Sequence, residues 1–167
     1  MVKLEGFQCH TCEKWHEGLP LDYAYDAPYY WSESLLDDAD SFLNSDFCVI
    51  KKKDFFVRGL IEVSVIGHDE PLRWGVWTSL SKSNFDRMVE LWRDPKLLDE
   101  PPYFGWLSNL IDLYPDTLNL KMNVHSKDIG QRPYLFLEAT DHPLAIEQRA
   151  GITMERIREI AERSLHR

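Results

Sequence analysis

Phe47-Cys48-Val49-Ile50-Lys51-Lys52-Lys53-Asp54-Phe55-Phe56-Val57-Arg58-Gly59-Leu60-Ile61-Glu62-Val63-Ser64-Val65-Ile66 holds two apolar runs separated by a polar tetrad. Runs of this kind, rich in Val, Ile and Phe and broken by a turn, predict a β-hairpin. One strand is expected over Phe47 to Ile50 and the other over Phe55 to Ile66, with Lys51 to Asp54 turning between them. In the second run Val57, Ile61, Val63 and Val65 alternate with Arg58, Glu62 and Ser64, the period of a strand with one buried face. A third strand is predicted over Arg73 to Leu80.

Toward the C-terminus, Ser81 or Ser83 is placed to cap a helix in which Phe85, Met88, Val89 and Trp92 recur at helical spacing, and Asp94-Pro95 closes it. Residues 96 to 116 are rich in proline and aromatics and are expected to form an ordered connection with one short strand or helix. Thr117 to His125 alternates as a half-buried antiparallel strand does, and Gln131-Arg132-Pro133 leads into another strand from Tyr134 to Ala139. Two helices are predicted to finish the chain. One runs from Pro143 to Arg149 with Asp141 as its cap, and the other from Thr153 with Ile157, Ile160, Ala161 and Leu165 facing inward.

Residues 1 to 46 lack sustained periodicity and read as a loop-rich arm. The expectation is an α+β fold: a largely antiparallel sheet with helices packed on one side and a loop-rich, zinc-bound N-terminal segment. A single domain is expected over residues 1–167: the arm (1–46), a sheet with one inserted helix (47–139) and the C-terminal helices (140–167).

With 44% hydrophobic and 28% charged residues over 167 positions, and a mean hydropathy of −0.39, the composition is that of a folding domain. Lys and Arg number 19 against 28 Asp and Glu, and the resulting net charge of −9 disfavours nucleic acid and anionic membrane as partners. No apolar run approaches the roughly 20 residues that cross a bilayer. The start, Met1-Val2-Lys3-Leu4-Glu5-Gly6, has no apolar signal core, so a cytoplasmic protein is expected.

Cys9-His10-Thr11-Cys12 has the spacing that lets both sulfurs of a tight turn reach one tetrahedral zinc ion. His16 follows four residues later, and Cys48, on the first predicted strand, completes a Cys₃His set if the arm folds back onto the sheet. His10 and His142 compete for the fourth position. Zinc held by four protein ligands is structural, and here it would anchor an arm that has little apolar surface of its own. A thioredoxin-type dithiol is disfavoured, because that chemistry wants a strand before the pair and a helix N-terminus at it. A buried, inert Cys48 is the plain alternative to a ligand.

Arg58 and Glu62 share one face of their strand, where they are spaced to pair. If the strands are neighbours, that face also carries Trp77 and Ser79, and Lys121, Asn123 and His125 from the later strand, a surface suited to a protein or small-molecule ligand. The bland alternative is a solvated face with cross-strand ion pairs. His142 lies between Asp141 and Glu147, but capping explains that segment more simply than catalysis. G-x-S-x-G, Walker, G-x-G-x-x-G and H-E-x-x-H patterns are all missing. The leading expectation is therefore a zinc-stabilised binding or interaction module, immunity-like or adaptor-like by its size and acidity. The rival is an enzyme of unfamiliar class using His142, His125 or a zinc with an open position.

Cys9-x-x-Cys12, His16-x-Gly18-Leu19-Pro20, Ser45-Asp46-Phe47-Cys48-Val49-Ile50, Phe56-Val57-Arg58-Gly59, Trp74-Gly75-Val76-Trp77, Gln131-Arg132-Pro133 and Asp141-His142-Pro143-Leu144-Ala145-Ile146-Glu147-Gln148 together resemble the bacterial family called domain of unknown function 2199. The resemblance runs over nearly the whole chain and brings no activity with it. It implies that Cys9, Cys12, His16 and Cys48, which fall on positions of the family pattern, belong together. That pattern has glycine directly after the second cysteine, where this chain has Glu13, a residue less able to adopt the backbone geometry usual around a zinc knuckle.

Overall fold

The computed structural model describes residues 3–166; Met1 and Val2, part of the N-terminal stretch read above for a signal core, lie outside them. The arm contains β1 (Lys3–Leu4), β2 (Phe7–Gln8), β3 (Trp15–His16), β4 (Leu19–Pro20) and β5 (Asp22–Ala24), then a one-turn helix at Glu33–Asp37 and β6 (Phe42–Leu43). The predicted hairpin follows as β7 (Phe47–Ile50) and β8 (Asp54–Val63), and the third strand as β9 (Leu72–Leu80). Then come α1 (Lys82–Leu91), a helical turn at Pro95–Asp99, β10 (Tyr103–Leu107), β11 (Lys121–His125), β12 (Tyr134–Leu137), α2 (Pro143–Ala150) and α3 (Met154–Leu165).

The α+β class holds, but the sheet is not open with helices on one side. β8, β9, β10, β11 and β12 pair antiparallel in succession, and β12 then returns to β8 in parallel, Tyr134 opposite Leu60, closing a five-stranded barrel. An odd number of strands that alternate in direction leaves the first and last pointing the same way, so the closing pair has to be parallel. Closing the sheet on itself leaves these five strands without the two free edges an open sheet would have. Val57, Ile61, Val63, Trp74, Val76, Leu107, Met122, Val124 and Leu135 fill the core, together with Met88 of α1, Leu144 of α2 and Ile157 and Ile160 of α3. α1 packs on β8, α2 on β8 and β12, and α3 on β4.

Closure depends on a close approach at Gly59. A Cβ there would stand 2.7 Å from Leu135 Cγ and 2.8 Å from the carbonyl oxygen of Pro133, which accepts the Leu60 N–H at 3.0 Å. β8 is shared along one edge: β7 pairs with its first half and β12 with its second.

Local expectations shift in physically readable ways. β8 stops at Val63, because Val65 leaves to bridge Ile152 and Gly67 turns the chain at φ +79°. β11 begins only at Lys121: the buried Thr117 hydroxyl donates to Asn109 O at 2.7 Å and accepts from Ile111 N at 2.9 Å, so residues before the strand brace a loop. Ser81 caps α1 as expected, but Leu91 takes the buried position and Val89 is exposed. His142, not Asp141, caps α2, its Nδ1 accepting the Leu144 N–H at 3.2 Å; Leu165 of α3 faces solvent.

Strand pairing, a buried amide and apolar packing anchor the arm. β5 pairs in parallel with β9, and the buried Asn109 takes the Trp77 N–H at 2.8 Å while donating to Ala27 O at 2.9 Å. A second apolar cluster, Leu35, Cys48, Ile50, Phe56 and Trp77 with Tyr25 and Trp31 against it, sits between the arm and the outer face of the barrel.

Candidate metal centre

β2 and β3 form a small antiparallel hairpin, Phe7 opposite His16, with Cys9 to Lys14 as its loop. The Cys9 N–H donates to Lys14 O at 2.9 Å and the Glu13 N–H to Cys9 O at 3.0 Å, while Glu13 itself is left-handed at φ +57°. The chain therefore reaches the tight knuckle without the glycine, at a backbone cost of about 1–2 kcal/mol. Cys9 is 1% exposed, Cys12 and His16 are half-buried, and the His16 ring stacks on Phe7 at 5.4 Å.

The fourth donor arrives from the other end of the chain. His166, at the C-terminal end of α3, places Nε2 3.2 Å from Cys9 Sγ, and His16 places its own Nε2 3.2 Å from Cys12 Sγ. One donor atom from each of Cys9, Cys12, His16 and His166 lies within 4.8 Å of all the others. Tetrahedral coordination at about 2.0–2.3 Å asks for separations of about 3.5 Å, so a small contraction suffices. Glu162, one turn back on α3, holds the helix to the knuckle by accepting the His10 N–H at 2.8 Å. Burial pushes the Cys9 thiol up, but backbone N–H groups of Cys12 and Thr11 and the side chains of His166 and Cys12 outweigh it and bring Cys9 down to about 6. The thiolate, the metal-binding form, is thereby favoured at neutral pH.

Cys48 is not in this cluster. It is fully buried between Ile50, Phe56 and Trp77, and burial pushes its thiol up to about 12, the behaviour of a small hydrophobe. Of the competing ligands, His10 pairs with Glu162 at 3.1 Å, and His142 is spent on its cap and on the carbonyls of Pro115 and Asp116. His166 went unnoticed in sequence. The signal available was arithmetic: a Cys-x-x-Cys pair needs two more donors, and His166 is one of only six histidines.

The expected polar face divides. Arg58 is 8% exposed and Trp77 wholly buried; the guanidinium lies over the indole at 5.8 Å and reaches Asp26 at 3.4 Å. Arg58 and Glu62 do not pair, since Glu62 faces Arg73 at 3.7 Å. β10 separates β9 from β11, so Lys121, Asn123 and His125 lie on a different part of the outer wall. There Lys121 lies over Trp106 at 5.9 Å, His125 meets Phe136 edge-on at 4.9 Å, and Asn123 stands between Phe104 and Phe136.

A closed barrel with added strands, three helices and a Cys₂His₂ cluster joining hairpin to C-terminal helix defines a small α+β protein with a candidate metal site. The family model described as an uncharacterised protein conserved in bacteria (DUF2199) matches residues 8–152, and the chain belongs to that family. Cys9, Cys12 and His16 lie inside the matched span and His166 beyond it. No curated protein and no solved structure matches the chain. No described helix is long and apolar enough to cross a membrane.

Proposed function

We propose that this protein is a zinc-stabilised binding module, adaptor-like or immunity-like, that works by meeting a partner and not by chemistry of its own. The observation that carries the metal reading is the convergence of two sulfurs and two imidazole nitrogens within 4.8 Å. Two thiolates with two imidazoles suit zinc, and four protein ligands leave no position for a water to be activated, which favours a structural ion over the enzyme reading. Zinc here would supply binding free energy to a hairpin that buries little beyond Phe7, Cys9 and part of His16, and would fasten α3 to it.

Elemental analysis of protein purified without added metal tests this. One zinc per chain is expected, lost in Cys12→Ser, with a melting temperature that falls on treatment with a chelator. Protein free of metal, whose melting temperature ignores both zinc and chelator, would remove the proposal.

A further inference from the structure

Tyr30 and Phe56 stack with ring centroids 6.1 Å apart and planes 26° from parallel. With Asp54, Ser79, Ser108 and Asn119 they line a cavity of about 250 Å³ on the outer wall of the barrel. Its origin lies in strand alternation. Asp54 and Phe56 are two apart on β8 and project to the same side, and the small Ser79 lies directly across from Phe56 on β9, where a larger side chain would fill the space.

The chemistry of the lining is one-sided. Tyr30 donates its hydroxyl to Asn119 Oδ1 at 3.3 Å, and Ser108 donates to Trp106 O at 2.9 Å, so these polar groups are engaged. The Asp54 carboxylate is exposed and has no ion-pair partner among the described residues. No cation is among the residues lining the cavity; of the three exposed lysines in the adjacent turn, Lys52 is held by Asp40 at 2.7 Å, and Lys51 and Lys53 stand beside the rim. Phe56 is buried at 2% exposure as the floor and Tyr30 is 45% exposed above it; an exposed tyrosine ring with a free carboxylate at the rim suits a cation carried on an apolar stem, the stem lying along the Tyr30 ring and the head meeting the carboxylate.

The surroundings point the same way. Residues 26–46 contain six acidic residues and no Lys, Arg or His. Asp26, Asp40 and Asp46 are paired with Arg58, Lys52 and Arg132, which leaves Glu33, Asp37 and Asp38 without an ion-pair partner among the described residues. The same stretch exposes Tyr29 (56%), Leu36 (70%) and Phe42 (46%), and its Leu35 packs in one cluster with Phe56, so it borders the cavity. Exposed aromatic and aliphatic groups in a negative field are the complement of a basic protein surface.

The geometry points to this cavity as the anchoring pocket for a lysine or arginine side chain of a basic partner protein, with residues 26–46 as the flanking contact surface. The assignment rests on the binding-module reading and names its site and partner chemistry. A fluorescein-labelled decapeptide of alternating arginine and glycine is the probe, titrated by anisotropy against the full chain. Asp54→Asn is expected to weaken binding about tenfold or more and Tyr30→Ala several-fold, whereas Glu138→Gln, the same charge change elsewhere, stays within about twofold. Asp54→Asn and Glu138→Gln acting alike would show only a diffuse charge effect and overturn the pocket, as would an absence of peptide binding. Melting temperatures establish that each variant is folded. Zinc measured on the same samples separates the two ideas: zinc-loaded protein that ignores the peptide sinks the pocket alone, and peptide binding by metal-free protein sinks the metal reading alone.

Discussion

His166 Nε2 lies 3.2 Å from Cys9 Sγ, a contact between residues 157 positions apart that joins the end of the last helix to the first hairpin. Three of the four candidate donors, Cys9, Cys12 and His16, sit on one short segment, so under the proposed zinc binding His166 is the donor that would complete the shell.

His166→Ala is therefore expected to keep the fold while weakening zinc binding by about tenfold or more, read by competition with a chromophoric chelator. Cys48→Ala should retain one zinc per chain and still lose about 1–2 kcal/mol of stability in urea unfolding, because it removes a fully buried sulfur from a packed cluster. Loss of zinc in Cys48→Ala, or full retention of affinity in His166→Ala, would reverse these assignments.

Much of the fold was legible because strand alternation is a local signal. β7, the turn, β8 and β9 lie nearly where Phe47 to Leu80 places them, Ser81 caps α1, and α3 begins beside Thr153, where its pattern starts. Barrel closure was not legible: it rests on one parallel contact, Tyr134 with Leu60, and on the space left by Gly59, both long-range. The same limit acted at the candidate metal site. Spacing exposes ligands that are neighbours in sequence, such as Cys9, Cys12 and His16, whereas His166 is brought in by the docking of α3, and Cys48 was plausible only until its strand turned it into an apolar cluster.

Glu13 offers a test of backbone strain at the knuckle. Its φ of +57° is a conformation glycine adopts freely. Glu13→Gly should raise stability by about 0.5–1 kcal/mol, the left-handed cost relieved less the entropy glycine adds to the unfolded chain. Urea midpoints of zinc-loaded wild type and variant decide it, and a lower midpoint in the variant would mean that the Glu13 side chain contributes more than its backbone costs.

Gly59 tests closure of the barrel. Ala at this position drives a methyl into Leu135 and into the backbone oxygen of Pro133, and the second cannot yield without loosening the hydrogen bond to Leu60. A loss of about 3 kcal/mol is expected, together with faster amide exchange at Leu60. Gly59→Ala with wild-type stability and exchange would mean that the closing pair is not held as tightly as this contact requires.

Tyr114 gives the alkaline prediction. Its hydroxyl donates to Glu147 Oε2, the other oxygen of that carboxylate takes the Arg156 Nε–H at 2.8 Å, and the Arg156 guanidinium lies over the Tyr114 ring at 5.3 Å. Burial, then the Glu147 carboxylate, push the Tyr114 phenol well above its ordinary range. The folded state thus keeps its proton where the unfolded state gives it up. The contribution is whole below about pH 10, the unfolded value, and is lost as pH rises toward the folded one, at about 1.4 kcal/mol per pH unit. Tyr103, raised by burial and by its bond to Glu100, adds a like slope, and Cys48 one that begins at about pH 8.5. Tyr114→Phe should cost about 1–2 kcal/mol near neutral pH and make the decline between about pH 10 and about pH 11.5 shallower by one tyrosine's share. Urea unfolding of both proteins across that interval measures the difference, and parallel curves would mean that Tyr114 ionises alike in the folded and unfolded chain.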